Sequence, residues 1–467
     1  MTSPEQLSLT EAAAALSQRT LSPVELMESL LDQIDRLDPE LHAFVTVADH
    51  AAEDAARAQR EWESGSVRGP LHGIPFAAKD LFDTAGVRTT ASSRHWAERV
   101  PDTDSTVVRM LKASGMPLIG KTATHEFAHG ATTPQTRNPW DPARLPGGSS
   151  GGSAAALAAR MVPAALGTDS GGSIRTPSAL CGVVGIKPTF GRVSRNGVAP
   201  LSWSMDHAGP LARTVADVAL LLEAISGYDP SDPASVQRPA DEVRPGPASV
   251  RGLRIGIPSN YFGEGYVADS VRTAAEAAGI GLQSEGAHLV DIELPLADLY
   301  EATGFTLLSA EASAVHAQRI RRAPDLFTDD VRWSLEAGMA ILATDYISAL
   351  RTRTKIQLAW NELMSDVDLV LAPTVPGSAV SATAPVYSIG DSIIPAGFAY
   401  VRSALPANLT GLPALAVPFG QDEGGLPLSV QVIGRAFDER TVLEAGLVLE
   451  QLAPPLPLPD LVDGDRP

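Results

Sequence analysis

The chain has 467 residues, of which 44% are hydrophobic and 19% charged, a composition typical of a globular protein. Its formal net charge is −19, which argues against a free-standing nucleic-acid-binding protein because such a protein needs a basic surface. Its one cysteine, Cys181, can form neither an internal disulfide nor a cysteine-based zinc site. We therefore expect a cytoplasmic protein that acts on small molecules, with no nucleic-acid partner.

The amino-terminal residues predict helices and no targeting segment. MTSPEQLSLTEAAAALSQ lacks a basic stretch followed by an apolar core, so we expect no signal peptide. No apolar run approaches the roughly 18 residues of a membrane span, so we expect no membrane partner. Capping patterns at Ser8–Glu11 and Ser22–Glu25 predict two helices. In the second helix Leu26, Leu30 and Ile34 fall on one face.

Strand and helix patterns then alternate along the chain. AFVTV predicts a strand, residues 51–63 predict an alanine-rich helix, and Leu71–Asp83 predicts a buried strand that ends at Lys79 and Asp80. A helix at TVVRMLKASG and a strand at PLIGKT follow, and the alternation continues to about residue 226. This order predicts an α/β fold in which helices cover both faces of a sheet.

A proline-rich segment interrupts the alternation. Residues 229–252 have no periodic pattern and predict a connection across the surface. A strand at LRIGIP follows, then a mostly helical region that ends in the strand VDLVLAPT, a late strand at LPLSVQVIG and a final helix. We expect one domain over residues 1–453 and a flexible tail over residues 454–467.

Two clusters of glycine and serine lie between residues 147 and 173, and each opens onto an apolar segment. A flexible linker would lack such apolar segments. A phosphate-binding loop would need GxxxxGK[ST] or GxGxxG, which are absent. Gly147–Gly151 matches the G-x-S-x-G of serine hydrolases, but the segment before it is broken by prolines and is not the strand that this motif needs. The later histidines, His207, His288 and His316, have no neighbours that mark them as catalytic.

The stretch PGGSSGGSAAALAARMVPAALGTDSGGSIRTPSALCGVVGIKPT, residues 146–189, closely resembles the amidase signature family. The resemblance extends to GPLHGIPFAAKDLFDTAG upstream and to GRVSRNGVAPLSWSMDHAGPLARTV downstream, and it covers about residues 5–228 and 365–450. It implies a large mixed β-sheet with helices on both faces, a hydrolase that acts on C–N bonds, and no metal or cofactor.

The resemblance also implies a Ser-cisSer-Lys triad, whose positions fall here on Lys79, Ser149 and Ser173. Ser173 would be the nucleophile, and a neutral Lys79 would take a proton from Ser149 while Ser149 takes one from Ser173. The residues suit these roles, because a serine hydroxyl is a poor nucleophile without a base. A lysine at the end of an apolar strand can lose its solvent, which lowers its pKa.

Backbone N–H groups around Ser173 would bind the developing oxyanion. A Gly-Gly turn that opens a helix presents unpaired N–H groups and lets the substrate approach closely. The resemblance places this oxyanion hole at four residues, Ser170, Gly171, Gly172 and Ser173.

Other residues near the triad are expected to support it. Ser150, Asp169 and Arg175 would hold the loops without reacting. Cys181 stands in the apolar ALCGVVGI and is expected to pack in the core.

Substrate contacts are expected from two regions. By the resemblance, the loop over residues 124–129 approaches the scissile bond, and its candidate contacts are His125, Ala128 and His129. Residues 253–365 match the family least and are expected to select the substrate. Within them Thr303–His316 is largely apolar, which favours neutral acyl groups.

Two activities fit the family. It includes stand-alone hydrolases of amides, anilides, ureas and carbamates, and also the amidotransferase subunit for misacylated tRNA, which needs partner chains. The segment Ala343–Ile356 resembles the stand-alone enzymes more than the amidotransferase subunit. The same is true of THEF, which has His125 where that subunit has an acidic residue. We predict an amidohydrolase of small neutral amides or anilides, an acylamidase, that works alone or as a homodimer. Cleavage of carbamates or esters by the same acyl-enzyme stays open.

Overall fold

The computed structural model describes residues 3–263 and 265–463. Its strands are β1 (Phe44–Val47), β2 (Phe76–Lys79), β3 (Leu118–Thr122), β4 (Ala164–Thr168), β5 (Val184–Lys187), β6 (Ala208–Ala212), β7 (Arg254–Pro258), β8 (His288–Ile292), β9 (Leu369–Pro373), β10 (Val386–Ile389), β11 (Ser392–Pro395), β12 (Ala414–Gln421) and β13 (Pro427–Gly434). Its α-helices are α1 (Leu9–Ser17), α2 (Pro23–Leu41), α3 (Ala51–Glu63), α4 (Thr106–Ala113), α5 (Gly151–Ala158), α6 (Arg175–Cys181), α7 (Val215–Ile225), α8 (Asp269–Ser284), α9 (Tyr300–Arg322), α10 (Asp329–Gly338), α11 (Ala343–Asp366), α12 (Ala396–Thr410), α13 (Glu439–Leu452) and α14 (Asp460–Asp463).

Eleven strands form one mixed sheet in the order β1-β3-β2-β4-β6-β5-β12-β13-β9-β7-β8, and β10 pairs with β11 in a separate hairpin. Strand β2 runs parallel to β3 and β4, and β7 runs parallel to β8 and β9. The remaining pairs of the large sheet are antiparallel. The predicted α/β fold with a large mixed sheet is confirmed.

Helices pack on both faces of this sheet, because alternate side chains of a strand point to opposite faces. In β9, Leu369 and Leu371 belong to a cluster that includes residues of α7 and α13. The intervening Val370 and Ala372 belong to a second cluster with residues of α9, α11 and α12. The sheet therefore lies between two apolar layers, and α9, α11 and α12 cover one of its faces.

The predicted amino-terminal helices are present. Ser8 and Ser22 each cap a helix through a complete capping box, with Glu11 and Glu25 as the reciprocal partners. The strand predicted over residues 71–83 is shorter than expected, since only β2 is extended. The residues before it form a turn in which Gly73 has a φ of 87°, a conformation that favours glycine.

The connection over residues 229–252 is anchored to the domain. Val243 and Val250 are buried in the cluster that contains α7 and α13. Asp232 pairs with Arg195, with an Nη2–Oδ1 distance of 3.2 Å. In the predicted tail Val462 is buried in the same cluster, and residues 464–467 lie outside the described residues.

The sequence analysis did not predict the β10–β11 hairpin or α12. Helix α12 contains Pro406, which removes one backbone donor and is unusual inside a helix. The helix survives because eleven of its fifteen residues are buried, so its packing outweighs its propensity. In the part of the chain that the structure describes, every helix is too short or too polar to span a bilayer.

Candidate active site

Strand β2 ends at Lys79, whose side chain is fully buried. Its Nζ donates to Ser149 Oγ at 2.7 Å and to Thr168 Oγ1 at 2.7 Å. Burial lowers the pKa of Lys79 well below its ordinary value, and the more distant carboxylates of Asp169 and Asp206 only partly oppose this. The site therefore favours the neutral amine, which can accept a proton.

Ser149 lies at the end of the long connection between β3 and α5, two residues before α5 begins. The Gly148–Ser149 peptide bond is cis. A Cβ on Gly148 would collide with the backbone of Thr132, so the close approach of the two chain segments requires glycine here. The carbonyl oxygen of Ser149 accepts hydrogen bonds from His125 N–H at 3.3 Å and from Thr133 Oγ1 at 3.2 Å. These contacts hold Ser149 against the Lys79 amine.

Ser173 lies in the turn between β4 and α6, next to the Ser149 loop. Ser150 N–H donates to the carbonyl oxygen of Ser173 at 3.2 Å, so the two glycine–serine clusters meet in space. Gly172 has a φ of 105°, and a Cβ there would lie 2.8 Å from Ala404 Cβ. The structure thus brings together the segments that carry Lys79, Ser149 and Ser173, while their chemical roles stay predictions.

A buried ion pair stabilises this turn. Arg175 Nε lies 3.1 Å from Asp169 Oδ2, and both side chains are almost fully buried. Asp169 also accepts from Gly172 N–H at 2.8 Å, from Ile174 N–H at 3.2 Å and from Asn408 Nδ2 at 2.8 Å. Burial by itself would raise the pKa of Asp169, but Arg175 holds it below its ordinary value. Asp169 therefore holds the turn as an ionised acceptor.

The turn leaves three backbone donors free. Within residues 3–263 and 265–463, the N–H groups of Ser170, Gly171 and Ser173 make no hydrogen bond. The expected oxyanion hole included a fourth donor, Gly172, but the Gly172 N–H already donates to the Asp169 carboxylate. An oxyanion at this turn could therefore draw on the three free donors.

Ser173 opens into a cavity of about 290 Å³, which we call the Ser173 cavity. Its lining residues are Ala128, His129, Gly130, Ala131, Gly171, Ser173, Leu201, Phe305, Leu308, Ser309, Ser334, Gly397, Phe398 and Val401. Phe305 of α9 and Phe398 of α12 stack with ring centroids 5.1 Å apart. Apart from hydroxyl groups, His129 is the one ionisable side chain in this lining. Burial lowers its pKa to about 4. The cavity is therefore uncharged at neutral pH and suits an apolar group.

A second cavity of about 240 Å³ adjoins the first, and we call it the Thr168 cavity. It shares Ala128 and Leu201 with the Ser173 cavity. Its lining residues are Leu81, Ala128, Thr168, Ser170, Arg195, Asn196, Gly197, Val198, Ala199, Pro200, Leu201, Trp203, Asp206, His207, Ala208, Ser231, Asp232 and Pro233. The connection over residues 229–252 thus contributes to one wall of this cavity.

Comparison with known proteins identifies the family of this chain. A family model described as Amidase matches residues 25–443. The chain belongs to the amidase signature family. It is 44% identical to an amidase of Pseudomonas putida over 454 residues, which are 97% of each chain. It is 42% identical to a glutamyl-tRNA(Gln) amidotransferase subunit of Chloroflexus aurantiacus over 488 residues, covering 97% of this chain and 98% of the relative.

A solved structure agrees with this assignment. A bacterial aryl acylamidase of the amidase signature family superposes with a TM-score of 0.88 at 27% identity, covering 99% of both chains. The family and fold inferred from the sequence are confirmed, and the chain is an amidase signature hydrolase that acts on amides.

In this amidase signature enzyme, the loop over residues 124–129 meets the cavities through two of its three candidate contacts. Ala128 lines both cavities, and His129 lines the Ser173 cavity while its Nε2 lies 2.8 Å from Ser334 Oγ. His125 lines neither cavity, and its contact with substrate stays a prediction. Its Nδ1 lies 2.9 Å from the carbonyl oxygen of Thr132, and its Nε2 lies 3.0 Å from Asp330 Oδ2. His125 therefore ties the loop to α10.

Several residues of the amidase site escaped the sequence analysis. Phe398 and Val401 lie on the unpredicted helix α12, although their spacing with Leu405 follows a helical period that could have revealed it. Thr168, which contacts Lys79, had no signal beyond its place at a strand end. Cys181 is buried, and burial raises the pKa of its thiol, so it packs in the core as expected. Among the described residues, no group of three or more His, Cys, Asp or Glu is arranged to hold a metal ion.

Proposed function

We propose that this chain hydrolyses the C–N bond of small neutral amides or anilides through a seryl acyl-enzyme. The observation that carries the proposal is the buried, solvent-free amine of Lys79, which lies 2.7 Å from Ser149 Oγ beside the turn that carries Ser173. A neutral lysine with its pKa lowered by burial is a suitable base for activating a serine.

In the acylation step, Ser173 Oγ attacks the carbonyl carbon of the substrate. Its proton passes to Ser149, whose own proton passes to the neutral Lys79 amine. The carbonyl oxygen becomes an oxyanion that accepts hydrogen bonds from the N–H groups of Ser170, Gly171 and Ser173. When the tetrahedral intermediate collapses, the C–N bond breaks, Ser149 donates a proton to the leaving nitrogen, and Lys79 returns its proton to Ser149.

In the deacylation step, a water molecule attacks the ester carbonyl of the acyl-enzyme. Ser149 takes a proton from the water and passes its own to Lys79. The same three N–H groups stabilise the second oxyanion. The ester bond to Ser173 then breaks, the serine oxygen regains a proton, and the carboxylic acid leaves. Carbamates and esters could enter the same sequence, because both form an acyl group on Ser173.

The chemistry of the Ser173 cavity supports a neutral acyl group. Its walls are apolar or hydroxylic, and burial keeps His129 unprotonated at neutral pH by lowering its pKa to about 4. A carboxylated acyl group would be placed there without a cationic partner, which is costly in a buried site. This favours a stand-alone acylamidase, whereas the 42% identity to an amidotransferase subunit keeps the partner-dependent activity as the second candidate.

The experiment that separates the two candidates uses the purified chain alone. Release of 4-nitroaniline from a neutral anilide and of ammonia from the matching primary amide is followed over time. Turnover without partner chains supports the stand-alone hydrolase. If neither substrate turns over, and glutamine is hydrolysed only after the other amidotransferase subunits are added, the second candidate replaces the first.

Activity is expected to fall as pH decreases, because protonated Lys79 cannot accept a proton. Since burial lowers the pKa of Lys79, kcat/KM for a neutral amide should reach its plateau below the ordinary lysine pKa of about 10.4. The pH profile of kcat/KM, with circular dichroism at each pH to verify folding, checks this. His129→Gln should keep the same acid limb, because the pKa of His129 is about 4. An acid limb at the pKa of a solvent-exposed lysine would contradict the role of Lys79.

A further inference from the structure

We propose that the Thr168 cavity is the binding site for the leaving amine and that it takes a neutral aromatic amine. This inference rests on the proposed function and narrows its substrate class to anilides over primary amides. It starts from the turn over residues 170–173, whose residues contribute to the linings of both cavities.

The turn presents opposite ends to the two cavities. Gly171 and Ser173 line the Ser173 cavity, whereas Ser170 lines the Thr168 cavity. The two cavities also share Ala128 and Leu201, so we place the carbonyl group that the free N–H groups hold at the junction of the cavities. One substituent of that carbonyl therefore extends into each cavity.

The path of the proton indicates which cavity takes the acyl side of the substrate and which takes the leaving nitrogen. The leaving nitrogen takes a proton from Ser149, and Ser149 recovers one from Lys79. Thr168 contacts Lys79 directly, with its Oγ1 2.7 Å from Nζ, and it lines the Thr168 cavity. The nitrogen side of the substrate therefore faces the Thr168 cavity. As the C–N bond breaks, its electron pair stays on nitrogen, which gains this proton and leaves as a neutral amine.

The charged groups of the Thr168 cavity already have hydrogen-bond partners. Arg195 pairs with Asp232, at an Nη2–Oδ1 distance of 3.2 Å. Asp206 accepts hydrogen bonds from the Ser170 hydroxyl and from the N–H groups of Leu201 and Ser202, the latter two at 2.9 Å. Burial lowers the pKa of His207 well below its ordinary value, so this ring is neutral. The charged groups of this cavity are thus engaged with other protein groups, and a neutral amine needs no counter-charge from them.

The walls and the volume of this cavity suit an aromatic ring. Apolar wall comes from Leu81, Val198, Ala199 and Leu201. Trp203 also lines the cavity and is 63% exposed. The Arg195 guanidinium lies 5.7 Å from the centroid of its ring, and the exposed part of the indole offers an aromatic surface. The cavity measures about 240 Å³. Ammonia is close in size to water, whose share of liquid volume is about 30 Å³, so a primary amide would leave most of the cavity unfilled.

The test compares two substrates that share one acyl group, butyryl 4-nitroanilide and butyramide. Ala199→Ile narrows the Thr168 cavity, and Ala131→Ile is its matched control in the Ser173 cavity, since both alanines are 8% exposed. We expect the anilide-to-amide ratio of kcat/KM to fall about tenfold in Ala199→Ile and to stay within about twofold in Ala131→Ile. Trp203→Ala, a change at an exposed side chain that leaves the core intact, should lower the ratio in the same direction.

An anilide-to-amide ratio of kcat/KM that is unchanged in both Ala199→Ile and Trp203→Ala would overturn the proposal. A ratio lowered only in Ala131→Ile would also overturn it, because the leaving amine would then bind in the Ser173 cavity. Isothermal titration with 4-nitroaniline gives a readout that does not need turnover. If 4-nitroaniline binds more weakly to Ala199→Ile but not to Ala131→Ile, the amine site is supported. This conclusion holds even if neither substrate is hydrolysed, because a lack of hydrolysis counts against the proposed function only. Absence of binding to the unmodified chain would overturn the site.

Discussion

Ser173→Ala is expected to lower kcat/KM for a neutral anilide by at least about a thousandfold, because it removes the oxygen that forms the acyl-enzyme. The rest of the site would remain, since Ser150 N–H bonds to the backbone carbonyl of residue 173 and the ion pair of Asp169 with Arg175 does not involve the lost hydroxyl. Initial rates of 4-nitroaniline release, with circular dichroism to verify folding, measure the effect.

Ser178→Ala is the matched control for this variant. Ser178 is a buried serine of α6, and its hydroxyl donates to the backbone carbonyl of Ile174 at 2.8 Å. We expect this variant to retain its turnover. Mass spectrometry of the enzyme mixed with a 4-nitrophenyl ester should locate the acyl adduct on the peptide that contains Ser173. Turnover that persists in Ser173→Ala would remove Ser173 as the nucleophile.

Asp169→Asn is expected to lower the free energy of unfolding by about 3–5 kcal/mol, because it leaves the Arg175 guanidinium buried without its counter-charge. It also weakens the acceptor of Gly172 N–H and Ile174 N–H, which shape the turn that carries Ser173. We therefore expect kcat of the folded variant to fall as well. Urea denaturation followed by circular dichroism measures the stability, and initial rates measure the activity.

The stability difference should depend on pH with a defined sign. Arg175 holds the pKa of Asp169 below its ordinary value despite burial, so the ionised carboxylate stabilises the fold above the unfolded-state pKa of about 3.9. That contribution is lost as pH falls from about 3.9 through the lower folded-state pKa. The advantage of the unmodified chain over Asp169→Asn should therefore shrink in acid.

Glu439→Gln separates loss of stability from loss of activity. Glu439 is fully buried and lies 3.1 Å from Arg192, another buried arginine. This variant should also be destabilised by a few kcal/mol, about the range for breaking a buried pair, while the folded fraction keeps its kcat. Equal kcat losses per folded molecule in Glu439→Gln and Asp169→Asn would mean that Asp169 has no specific effect on the turn.

Relations between residues close in the chain could be predicted from the sequence alone. The capping boxes at Ser8 and Ser22 and the alternation that predicts an α/β fold depend on neighbours a few residues apart. The two glycine–serine clusters and Lys79 at a strand end were visible for the same reason. The resemblance of these segments to the amidase signature family then implied the roles of Lys79, Ser149 and Ser173.

Relations across the chain were decided only by the tertiary structure. Thr168 is 89 residues from Lys79 and reaches it because β2 and β4 are neighbouring strands. The tie between His125 and α10 exists because Asp330, 205 residues away, lies against the His125 ring. The same holds for Phe398, which stacks on Phe305 from another helix, and for the Thr168 cavity. Burial, free hydrogen-bond donors and cavities arise from packing, and packing joins segments whose spacing in the sequence carries no trace of their contact.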